Sequence, residues 1–399
     1  MKESKWKQYI TIYGFVFFLA SVMIIMVISP KKTISSAERR RLAEKPKLTV
    51  KNLMDKSFMD DTEKYLLDHF PFRDELRRVK AYFAYDVLQQ KENNDIYVTD
   101  GHAAKLEYPL NEASVKRLAT KMKGLQQQYF PDQTTWYAIV PDKNYFLADK
   151  NGFPSIDYER MHVLLGQELG ADSASDAPFR FMDIVSGLTI DDYYHTDTHW
   201  RQECILDVAY RAASALGISD LLSFSTDSAV FTKNEIQNFY GVYYGQAALP
   251  MEPDTIVYLT SEVTDAAQVW SLEENMQSGK NAGTVVLPDE EGAIWKTIYQ
   301  TEKLEDGKSL DKYDIFVGGA SSLQIIRSPK AASQKRLILF RDSYTSSLAP
   351  LLLEAYKEIV LIDLRYIDSA RIGTYVDFTG ADILFLYNTS IVNHSEMLK

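Results

Sequence analysis

Leu337-Ile338-Leu339-Phe340-Arg341-Asp342-Ser343-Tyr344 is an apolar run that stops at a charged pair and a hydroxyl. Four successive apolar residues closed by a turn signal read as a strand buried on both faces. Ser347–Tyr356 then reads as a helix and Ile359–Leu364 as a second apolar strand. Outward from this unit the same alternation recurs. Val115, Leu118, Met122 and Leu125 share one helix face. Trp136–Val140 is a buried strand that ends at Pro141-Asp142-Lys143-Asn144, and Phe179–Ile184 is another. The segment after His199 reads as an amphipathic helix reaching Leu216, and Ile383–Tyr387 as a last apolar strand. Repeated strand–helix units with apolar strands predict an α/β fold, a mainly parallel sheet flanked by helices on both faces.

In such sheets, sites collect at the carboxyl ends of the strands. Ser343 stands where an apolar strand turns into a helix, so its hydroxyl would sit near free backbone N–H groups and the positive end of the helix. The strand–turn–helix logic is that of a nucleophile elbow, although G-x-S-x-G is absent. Equally, Ser343 or Asp342 could simply cap the helix. Arg341, between strand and turn, would pair with a carboxylate or lie exposed.

Asp197-Thr198-His199-Trp200 supplies the complementary groups. In extended backbone, residues two apart point to one side, so Asp197 and His199 could face one cavity. A carboxylate on Nδ1 would fix the imidazole and leave Nε2 free to take a serine proton. Helix capping by Asp197 or Thr198 is an alternative. So is metal binding, because His195-x-Asp197-x-His199 alternates three potential ligands. Trp200 is expected in the core.

The chain has 399 residues, 46% hydrophobic and 25% charged, which allows one large domain or two smaller ones. A net charge of -11 argues against generic nucleic-acid binding. Aromatics at 12% suit a surface that handles sugars, but a large core consumes them equally well. The single cysteine, Cys204, rules out an intramolecular disulfide and reads as a small buried hydrophobe. No cofactor is expected.

Tyr9–Ser29 carries no charge, and roughly 20 residues of helix cross a bilayer core. Lys2, Lys5 and Lys7 precede it; Lys31, Lys32, Arg39, Arg40 and Arg41 follow. The stretch is long for a signal peptide, and Ser29-Pro30-Lys31 is a poor cleavage site. One N-terminal transmembrane helix is therefore expected, in a segment 1–30, with membrane contact through residues 9–29. The charge count favours neither flank. Residues 31–94 read as a juxtamembrane stalk and a helical segment broken at Phe70-Pro71-Phe72, and residues 95–399 as the α/β domain. Within the latter, about 220–320 reads as a β-rich insertion, with strand-like runs at Thr255–Leu259, Ile294–Tyr299 and Tyr313–Val317.

Four motifs occur in order: Ser35-Ser36-Ala37-Glu38-Arg39 running on to Pro46, His69-Phe70-Pro71-Phe72-Arg73, Asp197-x-His199-Trp200, and Arg341-Asp342-Ser343-Tyr344. The ordered set resembles the DHHW family. It is similar also to alginate O-acetyltransferase accessory proteins, which carry SGNH-hydrolase-like domains. The resemblance covers nearly the whole chain beyond the anchor. It implies an SGNH-hydrolase-like fold with a permuted triad order, Ser343 as nucleophile, His199 as general base and Asp197 as its orienting acid. It further implies an extracytoplasmic domain that O-acetylates a cell-surface or exported polysaccharide, with a multi-pass membrane acyltransferase as partner. The sequence departs from the family at Thr198, where a histidine is usual, and at Phe340-Arg341-Asp342, where a Gly-Asp-Ser type turn is usual. Oxyanion or substrate-contacting candidates by residue type are Gly241, Gly245, Gly318 and Asn388, with Tyr344 and Arg341 flanking the serine. The same triad would serve an esterase, and the same scaffold a non-catalytic glycan- or partner-binding protein.

Overall fold

The computed structural model describes residues 5–35, 38–171, 177–225, 229–277, 283–305 and 310–399; Lys2, Ser36 and Ala37 of the segments quoted above lie outside them. The chain divides into two compact units, Met1–Asn94 with Tyr244–Met251, and Asp95–Tyr243 with Glu252–Lys399.

In the first unit, Lys5–Ile28 is a continuous helix of 24 residues. Its stretch Trp6–Ile28 has a mean hydropathy of 2.5 and none of it is buried, so it is long and apolar enough to cross a membrane. Two short strands follow, β1 (Ile34–Ser35) and β2 (Arg40–Arg41), paired antiparallel. Helices Ser57–Asp68 and Arg73–Tyr82 flank the break around Pro71, where Phe72 takes a left-handed φ of 58°. Glu38 accepts from Arg73 at 3.0 Å and pairs with Arg77 at 3.1 Å, while Arg40 grips both carboxylate oxygens of Asp68 at 2.9 and 2.5 Å. The first two motifs thus fold together through charge pairs.

The second unit opens with the hairpin β3 (Ile96–Thr99) and β4 (His102–Lys105). Next come β5 (Thr135–Val140) and β6 (Phe179–Phe181). A separate antiparallel hairpin pairs β7 (Thr232–Phe239) with β8 (Asp254–Thr260). The remaining strands are β9 (Gln268–Ser271), β10 (Trp295–Thr297), β11 (Leu323–Arg327), β12 (Arg336–Arg341), β13 (Glu358–Ile362) and β14 (Asp382–Asn388). An eight-stranded sheet runs β10-β9-β11-β13-β12-β14-β5-β6. It is parallel from β13 to β6 and antiparallel among β10, β9, β11 and β13.

The continuous apolar run of β12 has its cause in this position. Leu337 and Leu339 pack into the core on one face, Ile338 and Phe340 into the core on the other. A central strand has no solvent face, so it cannot alternate. β14 divides in the same way, with Leu384 and Leu386 on one side and Ile383 and Phe385 on the other.

Three expectations are corrected. Tyr313–Val317 is not a strand but overlaps the 3-10 turn Lys312–Ile315, capped by Asp311, whose side chain accepts from the Tyr313 amide. The helix expected over Ser347–Tyr356 is a single turn, Thr345–Leu348, continued as a 3-10 turn over Ala349–Leu352. Pro350 is the cause, since it has no N–H to extend an α-helical ladder. The segment after His199 first makes a 3-10 turn, Gln202–Cys204, before the helix Leu206–Ala215.

Candidate functional site

β12 ends at Arg341, and the chain turns through Asp342 and Ser343 at the carboxyl edge of the parallel strands. Asp342 is buried and shapes this turn. Its Oδ1 accepts from the Tyr344 amide at 3.0 Å and its Oδ2 from the Asn388 amide, at the end of β14, at 2.6 Å. Burial pushes its carboxyl pKa up, against the pull of Arg365 and these two amides. The turn is therefore pinned to the neighbouring strand without a glycine.

Asp197 and His199 arrive on a loop closed by a single bridge between Tyr193 and Trp200. The loop is bent, not extended, so alternation does not bring the two side chains together. A local turn does so instead: the His199 amide donates to Asp197 Oδ1 at 3.1 Å. His199 Nδ1 lies 2.6 Å from the same oxygen and Nε2 lies 2.7 Å from Ser343 Oγ. With Nδ1–H donating to the carboxylate, Nε2 is the acceptor for the serine hydroxyl. Asp197 is fully buried and His199 is 7% exposed. This chain of contacts can carry a proton from the serine to the imidazole and hold the resulting imidazolium against a carboxylate.

The other Asp197 oxygen accepts from the Val242 amide at 2.7 Å. Gly241 packs flat on Asp197: a Cβ there would stand 2.3 Å from Asp197 Cβ and 2.4 Å from Thr196 O. Its amide donates to Thr196 Oγ1 at 2.9 Å, so Gly241 backs the carboxylate and its N–H is already used. The Tyr313 ring lies flat on the His199 imidazole, 3.9 Å between centroids at 7°, and its hydroxyl is 2.9 Å from Ser347 Oγ. Tyr313 gives no signal in the sequence, because its partner is more than a hundred residues away.

The remaining candidates are distributed as follows. Tyr344 is buried, donates its hydroxyl to Thr198 O at 2.6 Å, and has its amide engaged by Asp342. Arg341 is not exposed, and among the described residues it is not hydrogen-bonded to a carboxylate. It is buried, and its guanidinium donates to Ser346 Oγ at 2.8 Å and Gln324 Oε1 at 2.7 Å. The Asn388 side chain caps the helix Thr389–Asn393, accepting from the Ile391 amide at 3.0 Å. Gly318 sits with φ 82° against Gln300, and Gly245 belongs to the first unit, where its carbonyl accepts from Arg77 at 2.7 Å. Trp200 is in the core, its indole N–H shared between Tyr344 O and Ser347 Oγ. Thr198 bonds the Tyr243 and Tyr344 hydroxyls, each at 3.0 Å.

The three alternating residues at 195, 197 and 199 do not converge on a metal position. The His195 ring lies against His102 and toward Asp254, while both ring nitrogens of His199 are engaged. Among the described residues, no group of three or more His, Cys, Asp or Glu side chains is placed to hold a metal ion. Cys204 is half-buried, and burial pushes its thiol pKa up to about 11, so it is a poor nucleophile.

No family model matches the chain, and no curated protein matches it in sequence. Solved structures do match in fold. One is a DHHW family protein from Eubacterium siraeum, at a TM-score of 0.54 and 16% identity over 77% of this chain and 94% of that one. Another is PatB1 of Bacillus cereus, solved with and without a sulfonyl adduct, at 0.52 and 15% over 75% of this chain and 96–97% of those. The resemblance read from the ordered motifs is met by the fold.

Proposed function

We propose that this chain is a serine-dependent O-acyltransferase, acetylating hydroxyls of a cell-surface or exported polysaccharide, with Ser343, His199 and Asp197 as its triad. The reading rests on one observation above others, the unbroken hydrogen-bond chain Asp197–His199–Ser343 at 2.6 and 2.7 Å. In the first step Ser343 Oγ attacks the acyl carbonyl, its proton passes to His199 Nε2, and the leaving group departs with that proton. In the second a sugar hydroxyl attacks the acyl-serine, gives its proton to His199, and Ser343 Oγ leaves and is reprotonated. Asp197 stabilises the imidazolium in both.

Two donors suit the oxyanion. Among the described residues, neither the Ser343 amide nor the Asn388 side-chain nitrogen donates to a protein group, and both belong to the carboxyl edge of adjacent strands. The helix Lys5–Ile28 would anchor the chain with its bulk outside the cell. A multi-pass membrane acyltransferase would deliver the acyl group, which would explain why the chain needs an anchor at all.

The test is turnover of an activated acetyl ester, with and without oligosaccharide acceptors, by the full chain in detergent. Ser343→Ala, His199→Ala and Asp197→Asn should each lower turnover by about 10³-fold or more while the fold is kept. Acetyl transfer to an acceptor in preference to water supports the transferase. A folded wild type with neither turnover nor labelling by a fluorophosphonate sinks the catalytic reading in favour of a binding scaffold.

A further inference from the structure

Lys143 is the first residue of the helix Lys143–Asn151, which leaves the carboxyl end of β5, and it is 1% exposed. Burying an ammonium is costly unless its hydrogens are met. Here they are met entirely by backbone: Nζ donates to Tyr194 O at 2.7 Å, His195 O at 3.0 Å and Asp197 O at 3.0 Å. A neutral amine carries two N–H donors and an ammonium three, so this arrangement is complete only for the charged form. All three carbonyls belong to the Tyr193–Trp200 loop that carries Asp197 and His199.

That loop has little order of its own, with one bridge at its base. Its amides and carbonyls are held from different directions. Asp254, at the start of β8, takes the His195 and Thr196 amides, each at 2.8 Å. Lys143 takes three of the carbonyls, of which His195 O also accepts from the Ala103 amide at 2.8 Å, and the Tyr243 amide takes Thr196 O at 3.1 Å. Nothing in the proposed acyl transfer consumes this cation, and the helix it begins is already capped by the Asp142 side chain.

We propose that Lys143 is a positioning residue whose ammonium gathers the loop carbonyls to one point and so holds the Asp197–His199 pair in register with Ser343. The proposal rests on the reading of Ser343 as nucleophile. A displacement of about 1 Å in such a pair costs on the order of 10²-fold in rate. The ammonium has charged and titratable neighbours on every side. Asp197 and Asp254 favour it, while desolvation is the larger influence and brings its pKa down to about 7. His102 of β4 is kept neutral, its pKa pushed down to about 3 by burial first and by the Lys143 charge second. The Tyr243 ring lies 5.6 Å from Nζ, His195 and Tyr194 lend carbonyls, and Asp142 is the adjacent residue in the chain. The ammonium is the working form, so function is kept below the lysine pKa and lost as pH rises through it.

The experiment is fluorophosphonate labelling of Ser343 in the full chain in detergent, read as the maximal inactivation rate and the half-saturation concentration from pH 6 to 10, for wild type, Lys143→Met and Lys143→Arg. Lys143→Met should lower the maximal rate by about tenfold or more and leave half-saturation within about twofold. A rate within about twofold of wild type, or a half-saturation that moves as far as the rate, overturns the proposal. Should Lys143→Met not fold, Lys143→Arg decides, since a guanidinium does not deprotonate in this range. Loss of the alkaline decline in that variant upholds the role, and an unchanged profile overturns it. A wild type that is never labelled fails earlier, at the nucleophile, and takes this proposal with it.

Discussion

At the residue scale the site is defined by what lies behind Asp197. Gly241 has no side chain because there is no space for one: the atoms a Cβ would meet at 2.3 and 2.4 Å are Asp197 Cβ and Cα and the Thr196 carbonyl, which have no flexible end to swing away. Gly241→Ala must therefore shift the loop. We expect about 1–3 kcal/mol of lost stability and about 10²-fold slower labelling of Ser343, measured by thermal unfolding and by fluorophosphonate kinetics on one preparation. Normal labelling in Gly241→Ala would mean the carboxylate tolerates the shift. Thr198 has a structural place at this scale as well. A threonine hydroxyl bonds both Tyr243 and Tyr344, so this position ties two buried phenols together.

At the element scale the turn after β12 depends on a strand neighbour. Asp342 accepts from its own turn and from the end of β14, so the serine is placed by two strands. Asp342→Asn turns one of those acceptors into a donor facing an amide N–H. A buried donor left facing another donor costs about 1–3 kcal/mol. The urea midpoint should fall accordingly, and Ser343 labelling by a fluorophosphonate should slow in the same variant; an unchanged midpoint with normal labelling would show that the turn does not depend on this carboxylate. Arg341 extends the same scaffold sideways by reaching Gln324 on β11, three positions along the sheet order from β14.

At the scale of the whole molecule, one prediction concerns acid and one the membrane. In the first unit the Arg40 guanidinium holds the Asp68 carboxyl down to about 2. A depressed carboxyl stabilises the fold above its unfolded pKa of about 4, and that contribution fades as pH falls toward 2. Asp68→Asn should therefore lower the melting temperature at pH 7 and have a shrinking effect from pH 4 downward. An effect that is constant with pH would show that the pair contributes no net charge stabilisation. The helix Lys5–Ile28 should make the full chain sediment with membranes after alkaline carbonate washing, and removal of residues 1–30 should release it.

The strands β5, β12, β13 and β14 were legible because burial on both faces is written as an unbroken apolar run, a property of neighbouring residues. The helix Lys5–Ile28, the break at Pro71 and the residues of the Asp-x-His pair were legible for the same reason: each depends on groups a few positions apart. Gly241, Val242, Lys143 and Tyr313 were not readable in their roles. Their partners lie tens to more than a hundred residues away, and a local pattern carries no record of a contact made only on folding. Arg341 shows the same limit, since a charge after a strand is equally compatible with solvent and with a buried bond to a distant glutamine. The sequence by itself determined the chemistry on offer: a carboxylate, an imidazole and a hydroxyl in an α/β chain behind an apolar helix. Only the tertiary structure brought these groups within hydrogen-bond reach, because hydrogen bonds act over about 3 Å and only packing of the parallel sheet and its loops closes a gap of 144 residues.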